Sequence, residues 1–268
     1  MRLKFLSLAS GSSGNCYFLG TDDYGILLDA GISIRSIKKI LRDNRIELEQ
    51  IMGVFVTHDH ADHIKSVGCL GEKFNIPIYT TELIHRGIEA SRYVENKLSS
   101  SKRVIEVEKI TTVRDFRITP FLVPHDSTEC VGYCIEFRNQ KFVLATDIGH
   151  INDNIVRYAK SANHLIIEAN YDREMLSHGN YPAFLKERIM KGTGHLSNAE
   201  TAAFLASIFD LHLKNIYLCH LSRDNNHPEL ACKTVEMAMR QYGIRPGKDV
   251  NLTALKRMHP SEMYIFDE

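Results

Sequence analysis

Six short apolar runs in this sequence end in the same way, and this regularity constrains the fold more than any other feature. Each run has the length and the β-branched content that are typical of a buried strand, and each finishes on an acid or a histidine. The runs are YGILLDAG, MGVFVTHDH, ITPFLVPHD, KFVLATD, NHLIIEAN and KNIYLCH, and their polar ends are Asp29, His58, His125, Asp147, Glu168 and His220. Because strand ends on a rigid scaffold hold side chains precisely, the endings predict a common site at one edge of a sheet.

Helical patterns lie between these strands. SIRSIKKILRDN has apolar residues at helical spacing, and SNAETAAFLASIFDLH opens with a capping box of Ser197 and Glu200. PELACKTVEMAMRQYG has Pro228 at a first helical position and Gly243 at the stop. The early strands resemble hairpins with turns at GSSGN and TDDYG. The pattern predicts an α/β fold of mixed sheets covered by helices, in one domain over residues 1–268.

Bulk composition narrows the class of protein. Lys plus Arg and Asp plus Glu number 33 each, so the net charge is zero and any phosphate-binding surface must be local. No run approaches the ~20 apolar residues of a membrane span, and the start MRLKFLSLASGSSG is interpreted as a strand and turn, not as a secretory signal. With no membrane-spanning run, no membrane partner is expected. The six cysteines form no Cys-x-x-Cys pair, which predicts free thiols in a reducing cytoplasm.

The stretch VTHDHADHI has the residues of a metal site. In an extended segment His58 and His60 point to the same side, while Asp62 and His63 begin a helix predicted over ADHIKSVGCLGEKF and project differently. One loop can therefore offer two ligands to one ion and two to its neighbour. Imidazole and carboxylate are typical ligands of zinc and other first-row dications.

The other strand ends can complete such a site. His125 and His220 supply one ligand each, and Asp147 can bridge two ions ~3.5–4 Å apart. Taken singly, each of these residues also fits a satisfied strand end without chemistry. As a set, they complete two metal sites and leave no ligand over.

These motifs resemble, in order and over nearly the whole chain, those of the metallo-β-lactamase fold superfamily. The resemblance implies an αββα four-layer sandwich with a binuclear site at one edge. It implies that Asp29 orients the loop VTHDHADHI, here called the ligand loop, and that Asp62 belongs to the catalytic residues. The implied ligands are His58, His60 and His125 for one ion, Asp62, His63 and His220 for the other, and Asp147 with a nucleophilic hydroxide between them.

Two further stretches, LIIEANYD and GTGHLSNAE, resemble the Glu–His dyad of the nuclease and phosphodiesterase branch, which is known from ribonuclease Z. In that branch the histidine, here His195, donates a proton to the leaving alkoxide, and the glutamate, here Glu168, orients it. The short segment between His125 and Asp147 leaves no room for the long arm of ribonuclease Z. This spacing favours a compact phosphodiesterase or nuclease.

Within that branch the sequence resembles the YycJ/WalJ (VicX) family. The matching stretches are LASGSSGNCYFL, LLDAGIS, THDHADH, VPHD, GHLSN and CHLSRDNNHPELA. This resemblance implies a bacterial cytoplasmic 5′→3′ exonuclease that acts on DNA with two divalent metal ions, Zn or Mn.

Two polar loops are candidates for phosphate contacts. In GSSGN, the side chains of Ser12, Ser13 and Asn15 offer donors, although the loop also suits a plain turn. In SRDNNHP, Arg223 and Asn225 follow directly after a predicted ligand and are expected near the mouth of the site. A solvated loop is the alternative for both.

Two other functions stay open at this level. A thioester hydrolase of the glyoxalase II type would use the same metals, and Glu168 with His195 argues against it. A non-catalytic, metal-stabilised regulatory protein is the second alternative, and the complete ligand set argues against that. The choice between Zn and Mn, the oligomeric state and the role of His150 stay undecided.

Overall fold

A computed structural model describes residues 2–266 as two compact units. The first unit comprises residues 2–120, 127–130 and 256–266, and the second comprises residues 121–126 and 131–255. The chain elements up to residue 122 are the strands β1 Leu3–Ala9, β2 Cys16–Gly20, β3 Gly25–Leu28, β4 Ile51–Phe55, β5 Ile78–Thr80, β6 Lys102–Val104, β7 Thr111–Val113 and β8 Phe116–Leu122, and the helices α1 Ile34–Asp43, α2 Ala61–Ile64, α3 Val67–Phe74 and α4 Glu82–Ala90.

The remaining elements are the strands β9 Val131–Phe137, β10 Gln140–Ala145, β11 His164–Glu168, β12 Asn215–Cys219, β13 Asn251–Ala254 and β14 Tyr264–Phe266, and the helices α5 Asp153–Lys160, α6 Arg173–His178, α7 Ala183–Met190, α8 Asn198–Ile208 and α9 Pro228–Gln241. The first unit contains a sheet in the order β14-β1-β2-β3-β4-β5-β6. In the second unit, the strands follow the order β13-β12-β11-β10-β9.

Both sheets are mixed, as the sequence predicts. In the first unit, β1, β2 and β3 pair antiparallel through the two predicted turns, and β3 to β6 then run parallel. In the second unit, β9 and β10 pair antiparallel, and β10 to β13 run parallel. Parallel strands are normally covered on both faces, which agrees with the complete burial of β3 and β11.

All six predicted runs form strands, and each polar ending lies at the end of its strand or at most three residues beyond it. The predicted helix signals are confirmed as well. The Ser197 hydroxyl accepts the backbone N–H of Glu200, whose carboxylate accepts the N–H of Ser197, at the start of α8. Pro228 begins α9, and Gly243 follows its last turn with φ +77°.

One predicted helix begins at Ala61 as expected but is interrupted in its middle. The stretch ADHIKSVGCLGEKF forms two helices, α2 and α3, with a break at Lys65 and Ser66. The Ser66 backbone N–H donates to the carbonyl of Ala30 at 2.9 Å, and its hydroxyl donates to the carbonyl of Ile32 at 2.6 Å. These bonds to another segment replace bonds that would continue the helix.

A buried histidine in the second unit has a structural role. His164 stacks on Phe142, and its Nε2–H donates to the Gln140 side chain at 2.8 Å. Its Nδ1 accepts from the Asn215 amide at 2.8 Å, and the Asn215 oxygen accepts from Asn251 at 3.0 Å. This chain of bonds suits a neutral ring, and burial lowers the pKa of His164 to about 3.

This pKa predicts a loss of stability in acid. The unfolded chain binds the proton first as the pH falls, because its His164 keeps a pKa near the ordinary 6.5. The stabilising contribution of the neutral ring is complete above about pH 6.5 and declines towards about pH 3, by up to about 1.4 kcal/mol per pH unit. We expect His164→Gln to remove this contribution to the pH dependence of the free energy of unfolding. Urea unfolding of the metal-free unaltered protein and the metal-free variant between about pH 6.5 and 5 measures it. Equal pH dependence of the two proteins would contradict a neutral, buried His164.

Two further expectations concern the chain as a whole. Within residues 2–266, no helix combines the length and the apolar character needed to cross a membrane. All six cysteines are free thiols, as the sequence predicts, and four of them are buried.

Candidate metal centre

In the first unit, a buried aspartate organises the loop that follows β4. Asp29 comes directly after β3, and one oxygen of its carboxylate accepts the backbone N–H of Thr57 at 2.8 Å. Its other oxygen accepts Nδ1–H of His63 at 2.7 Å and the Thr57 hydroxyl at 2.9 Å. Asp29 therefore ties together the two ends of the loop that carries His58, His60, Asp62 and His63, which supports its predicted role.

The same bonds select the ring nitrogen that carries the lone pair. His63 Nδ1 faces a carboxylate and therefore holds the proton, which leaves the lone pair on Nε2. His58 Nδ1 lies 3.1 Å from the Thr57 hydroxyl oxygen, whose own proton points to Asp29, so His58 has the same tautomer. The rings of His58 and His63 lie 4.1 Å apart between centroids. Neutral histidines in this state are metal ligands.

Neighbouring loops support the ligand loop through its backbone. The Asn15 backbone N–H donates to the carbonyl of Asp62 at 2.8 Å, and its amide nitrogen lies 3.0 Å from His63 Nε2. Ala30 donates to the carbonyl of His63 at 2.8 Å. Gly31 approaches so closely that a Cβ atom there would lie 1.6 Å from the carbonyl oxygen of Asp62. Only glycine fits at this contact.

Gly31→Ala is therefore expected to displace the ligand loop. Overpacking of this kind typically costs about 1–3 kcal/mol, and misplaced ligands lose about 10–100-fold in metal affinity. Urea unfolding of the metal-free protein and a metal titration measure the two effects. Gly192→Ala is the matched control, because the nearest atom to its Cβ would be 3.9 Å away. Normal metal affinity in Gly31→Ala would contradict the prediction.

Asp59, the remaining acid of the motif, has a different environment. Its carboxylate accepts the backbone N–H of Thr128 at 3.3 Å and also the Thr128 hydroxyl. A Cβ at Gly87 would lie 2.0 Å from its Oδ2, so the side chain packs against α4. These contacts anchor the loop, which agrees with leaving Asp59 out of the predicted ligand set.

In the second unit, three predicted ligands lie after strand ends. His125 Nδ1–H donates to the carbonyl of Gly194 at 3.1 Å, which leaves the lone pair on Nε2, and this atom lies 3.8 Å from Asp147 Oδ1. The same carboxylate oxygen lies 3.5 Å from Nδ1 of His220. Ligand atoms of Asp147, Glu168, His195 and His220 all lie within 4.8 Å of one another.

Glu168 is the centre of this second group. Its Oε1 accepts Nδ1–H of His195 at 2.8 Å and Nδ1–H of His220 at 2.9 Å. Its Oε2 accepts the backbone N–H groups of Ile148 at 2.8 Å and Leu196 at 3.1 Å. Four donors therefore occupy a fully buried carboxylate, which supports the predicted orienting role of Glu168 and argues against its being a metal ligand.

The two partners shift each other's pKa. Burial acts to lower the pKa of His195, but the charge of Glu168 and the hydrogen bond to it outweigh burial and raise that pKa. Burial acts to raise the pKa of Glu168, but the charge of His195 and the bonds from His195 and His220 lower it. The pair thus favours a protonated His195 beside an ionised Glu168, while 20% of the His195 side-chain surface stays exposed.

Three of the predicted site residues adopt a strained backbone conformation. Asp29, Asp147 and His220 have φ of +58°, +54° and +53°. Residues other than glycine rarely adopt this left-handed region, and they do so where the surrounding structure imposes it. Such strain at strand ends is typical of positions where a side chain must be aimed at a site.

Sequence reasoning missed two supporting residues, Thr57 and Asn170, and left the role of a third, His150, undecided. Thr57 links His58 and Asp29 as described, and Asn170 donates to the carbonyl of His220 at 2.9 Å. His150 Nδ1–H donates to the carbonyl of Gly192 at 2.7 Å, in the turn that precedes His195. Thr57 directly precedes the predicted ligand His58, and Asn170 lies two residues after Glu168. This nearness in the sequence was the only available signal.

The predicted phosphate contacts have varied environments. Ser12 and Ser13 are exposed on the turn before β2, whereas Asn15 is buried against the ligand loop. Arg223 is exposed after β12. Asn225 is buried, and its backbone carbonyl accepts from Asp172. A phosphate role for these residues stays a prediction.

The donor sets fit divalent metal. Each unit has neutral histidines whose Nδ1–H is hydrogen-bonded and whose Nε2 has the lone pair, beside carboxylates such as Asp62 and Asp147. Buried clusters of imidazole and carboxylate suit first-row dications and have no comparable structural purpose.

The comparisons with known proteins first define the class. Residues 24–220 match the model of the beta-lactamase superfamily domain, so the chain belongs to this superfamily of metallo-hydrolases. The structure of the metallo-beta-lactamase fold protein YhfI from Bacillus subtilis is similar, with a TM-score of 0.73 at 16% identity, over 99% of this chain and 100% of that one. The predicted α/β sandwich fold of the superfamily is confirmed.

The particular family follows from two curated relatives. The chain is 36% identical to Exodeoxyribonuclease YycJ of Bacillus anthracis, over 92% of this chain and 93% of the relative. It is 37% identical to Exodeoxyribonuclease WalJ of Streptococcus pneumoniae, over 92% of this chain and 91% of the relative. The chain is a member of the YycJ/WalJ family of enzymes, as the resemblance implied.

Proposed function

We propose that this chain is a metal-dependent phosphodiesterase that degrades DNA as a 5′→3′ exonuclease. The names of the curated relatives support DNA as the substrate. The observation that carries the reaction class is the bond of 2.8 Å between His195 Nδ1 and Glu168 Oε1. An alkoxide is a poor leaving group and benefits from a positioned acid, whereas a thiolate needs one much less.

We also propose that the cofactor is a pair of divalent ions, Zn or Mn. Family membership and the tautomers of the histidines support this assignment. When bound, two such ions lower the pKa of a water molecule and stabilise charge on phosphoryl oxygens. The proposed ligands are His58, His60 and His125 for one ion, Asp62, His63 and His220 for the other, and Asp147 between them.

Each residue of the site then has its own proposed role. Glu168 holds Nδ1 of His195, so Nε2 is the nitrogen from which a proton can pass to the leaving oxygen. The same carboxylate orients His220, which couples the acid to a ligand. Asp29 and Thr57 keep the ligand loop in place. We also propose that the protein is located in the cytoplasm and that residues 1–268 form a single functional domain. A family match that includes parts of both units supports the single domain.

The binuclear centre predicts a stoichiometry. Elemental analysis of protein saturated with Zn or Mn should give two ions per chain, and Asp147→Asn should lower the affinity for both. One ion at full metal supply, with unchanged affinity in Asp147→Asn, would contradict the binuclear proposal.

The substrate class has a direct test. Metal-stripped protein is reloaded with Zn or Mn and given end-labelled duplex DNA, single-stranded DNA, RNA and a thioester. We expect DNA to be shortened stepwise from its 5′ end in the presence of metal. Cleavage of the thioester alone would support the glyoxalase II type of hydrolase, and no reaction with any substrate would support a regulatory role.

A further inference from the structure

A basic groove lies on the first unit, and none of its lining residues belongs to the candidate metal centre. It is a cavity of about 690 Å³ between α1 and α3. Arg35, Lys38, Lys39 and Arg42 line it from α1 at the spacing i, i+3, i+4 and i+7, so they share one face of that helix. Lys73 of α3 adds a fifth cation.

The positive charge of this groove is poorly compensated. Among residues 2–266, none of the five cations forms an ion pair with a carboxylate, and only Glu47 and Glu49 contribute negative charge to the lining. The chain as a whole has a net charge of zero. The local excess of cations therefore creates a positive potential in the groove, which attracts an anionic ligand.

An aromatic ring completes the groove. Phe74 is the last residue of α3, lines the same cavity and is 37% exposed. The Lys38 Nζ lies 4.9 Å from the centroid of its ring. Cations along a groove, together with an exposed aromatic side chain on which a base can stack, are the combination that binds single-stranded nucleic acid.

We propose that this groove binds single-stranded DNA, with the cations on phosphates and an unpaired base on Phe74. Helix α1 rises ~1.5 Å per residue, so the face from Arg35 to Arg42 extends ~10 Å along the groove and can contact more than one phosphate of a bound strand. The inference rests on the proposed nuclease function. It adds a second surface, separate from the metal ligands, that binds the substrate strand.

Two triple variants that remove the same charge test the electrostatic contacts. The groove variant is Arg35→Gln/Lys38→Gln/Lys39→Gln, and the control, on exposed lysines of the second unit, is Lys160→Gln/Lys233→Gln/Lys248→Gln. Fluorescence anisotropy measures the binding of a phosphorothioate oligonucleotide to each holoenzyme over a range of salt concentrations. Log K falls as log salt rises, and each lost phosphate contact reduces the magnitude of this slope by ~0.7. The slope of the groove variant, which lacks three cations, should therefore be smaller in magnitude by ~2, whereas the slope of the control should not change.

Phe74 gives an independent test. Phe74→Ala should weaken binding about fivefold or more without changing the salt slope, because stacking releases no counterions. Phe74→Tyr should restore the affinity. Circular dichroism and thermal unfolding verify that each variant is folded before binding is compared.

The outcomes separate the groove from the proposed function. If the unaltered holoenzyme neither binds nor degrades DNA, the nuclease proposal fails and the groove proposal fails with it. If it degrades DNA but the groove variant binds like the control, only the groove proposal is overturned. If polyglutamate competes with the oligonucleotide and binds more tightly through the same cations, the partner is an acidic protein and the DNA assignment is wrong.

Discussion

Replacement of His195 with alanine is expected to lower turnover on DNA by roughly 10²–10⁴-fold, the usual range for a positioned general acid. Both metals should stay bound, because His195 donates its Nδ1 proton to Glu168 and is absent from the proposed ligand set. Steady-state cleavage of labelled DNA and elemental analysis of the same preparations measure the two quantities. His178→Ala, on an exposed histidine of α6, is the control and should have normal turnover.

A second substrate distinguishes an acid from a binding residue. A nitrophenyl phosphodiester has a leaving group that needs little protonation, so the loss in His195→Ala should be much smaller on this ester than on DNA. Equal losses on both substrates would refute the assignment of His195 as the acid. Loss of a metal ion in the variant would show instead that the ligands are assigned wrongly.

Glu168→Gln is expected to be more harmful than an isosteric change usually is. The carboxylate accepts four N–H donors, from His195, His220, Ile148 and Leu196. The glutamine NH₂ group must face two of these donors, and both lose their acceptor inside the protein. An unsatisfied buried donor costs about 1–3 kcal/mol, so the expected loss of folding stability is about 2–6 kcal/mol.

The same substitution should disturb the metal through His220. Misoriented ligands typically lose about 10–100-fold in metal affinity, so Glu168→Gln should bind metal more weakly, whereas His195→Ala should not. Urea unfolding of the metal-free protein and metal titration measure the two effects. Glu136→Gln is the control, because Glu136 pairs with Lys141 at the surface and should cost less than about 1 kcal/mol. Equal effects of the two substitutions would contradict the central role of Glu168.

Features that depend on neighbouring residues in the chain were predictable from the sequence. The six apolar runs became strands because their length and β-branched content favour extended structure, and their polar endings became strand ends for the same reason. The capping box at Ser197 and the proline at Pro228 marked helix starts correctly, because caps act within one turn.

Contacts between distant parts of the chain escaped prediction. The helix break at Ser66 depends on carbonyl groups of Ala30 and Ile32, which lie more than thirty residues earlier. Nothing near Ser66 in the sequence signals that break, because a serine in a helical pattern can equally well point to solvent. The requirement for glycine at position 31 likewise arises from the backbone of Asp62.

The sequence by itself determined the residue types of the candidate site, the strand ends that carry them and, through its motifs, the family. Only the tertiary structure decided how these side chains are held: Asp29 across the ligand loop, and Glu168 between two histidines and two backbone donors. The physical reason is that hydrogen-bond geometry and tautomers depend on atoms brought together by packing, whereas periodicity and capping depend only on adjacent residues.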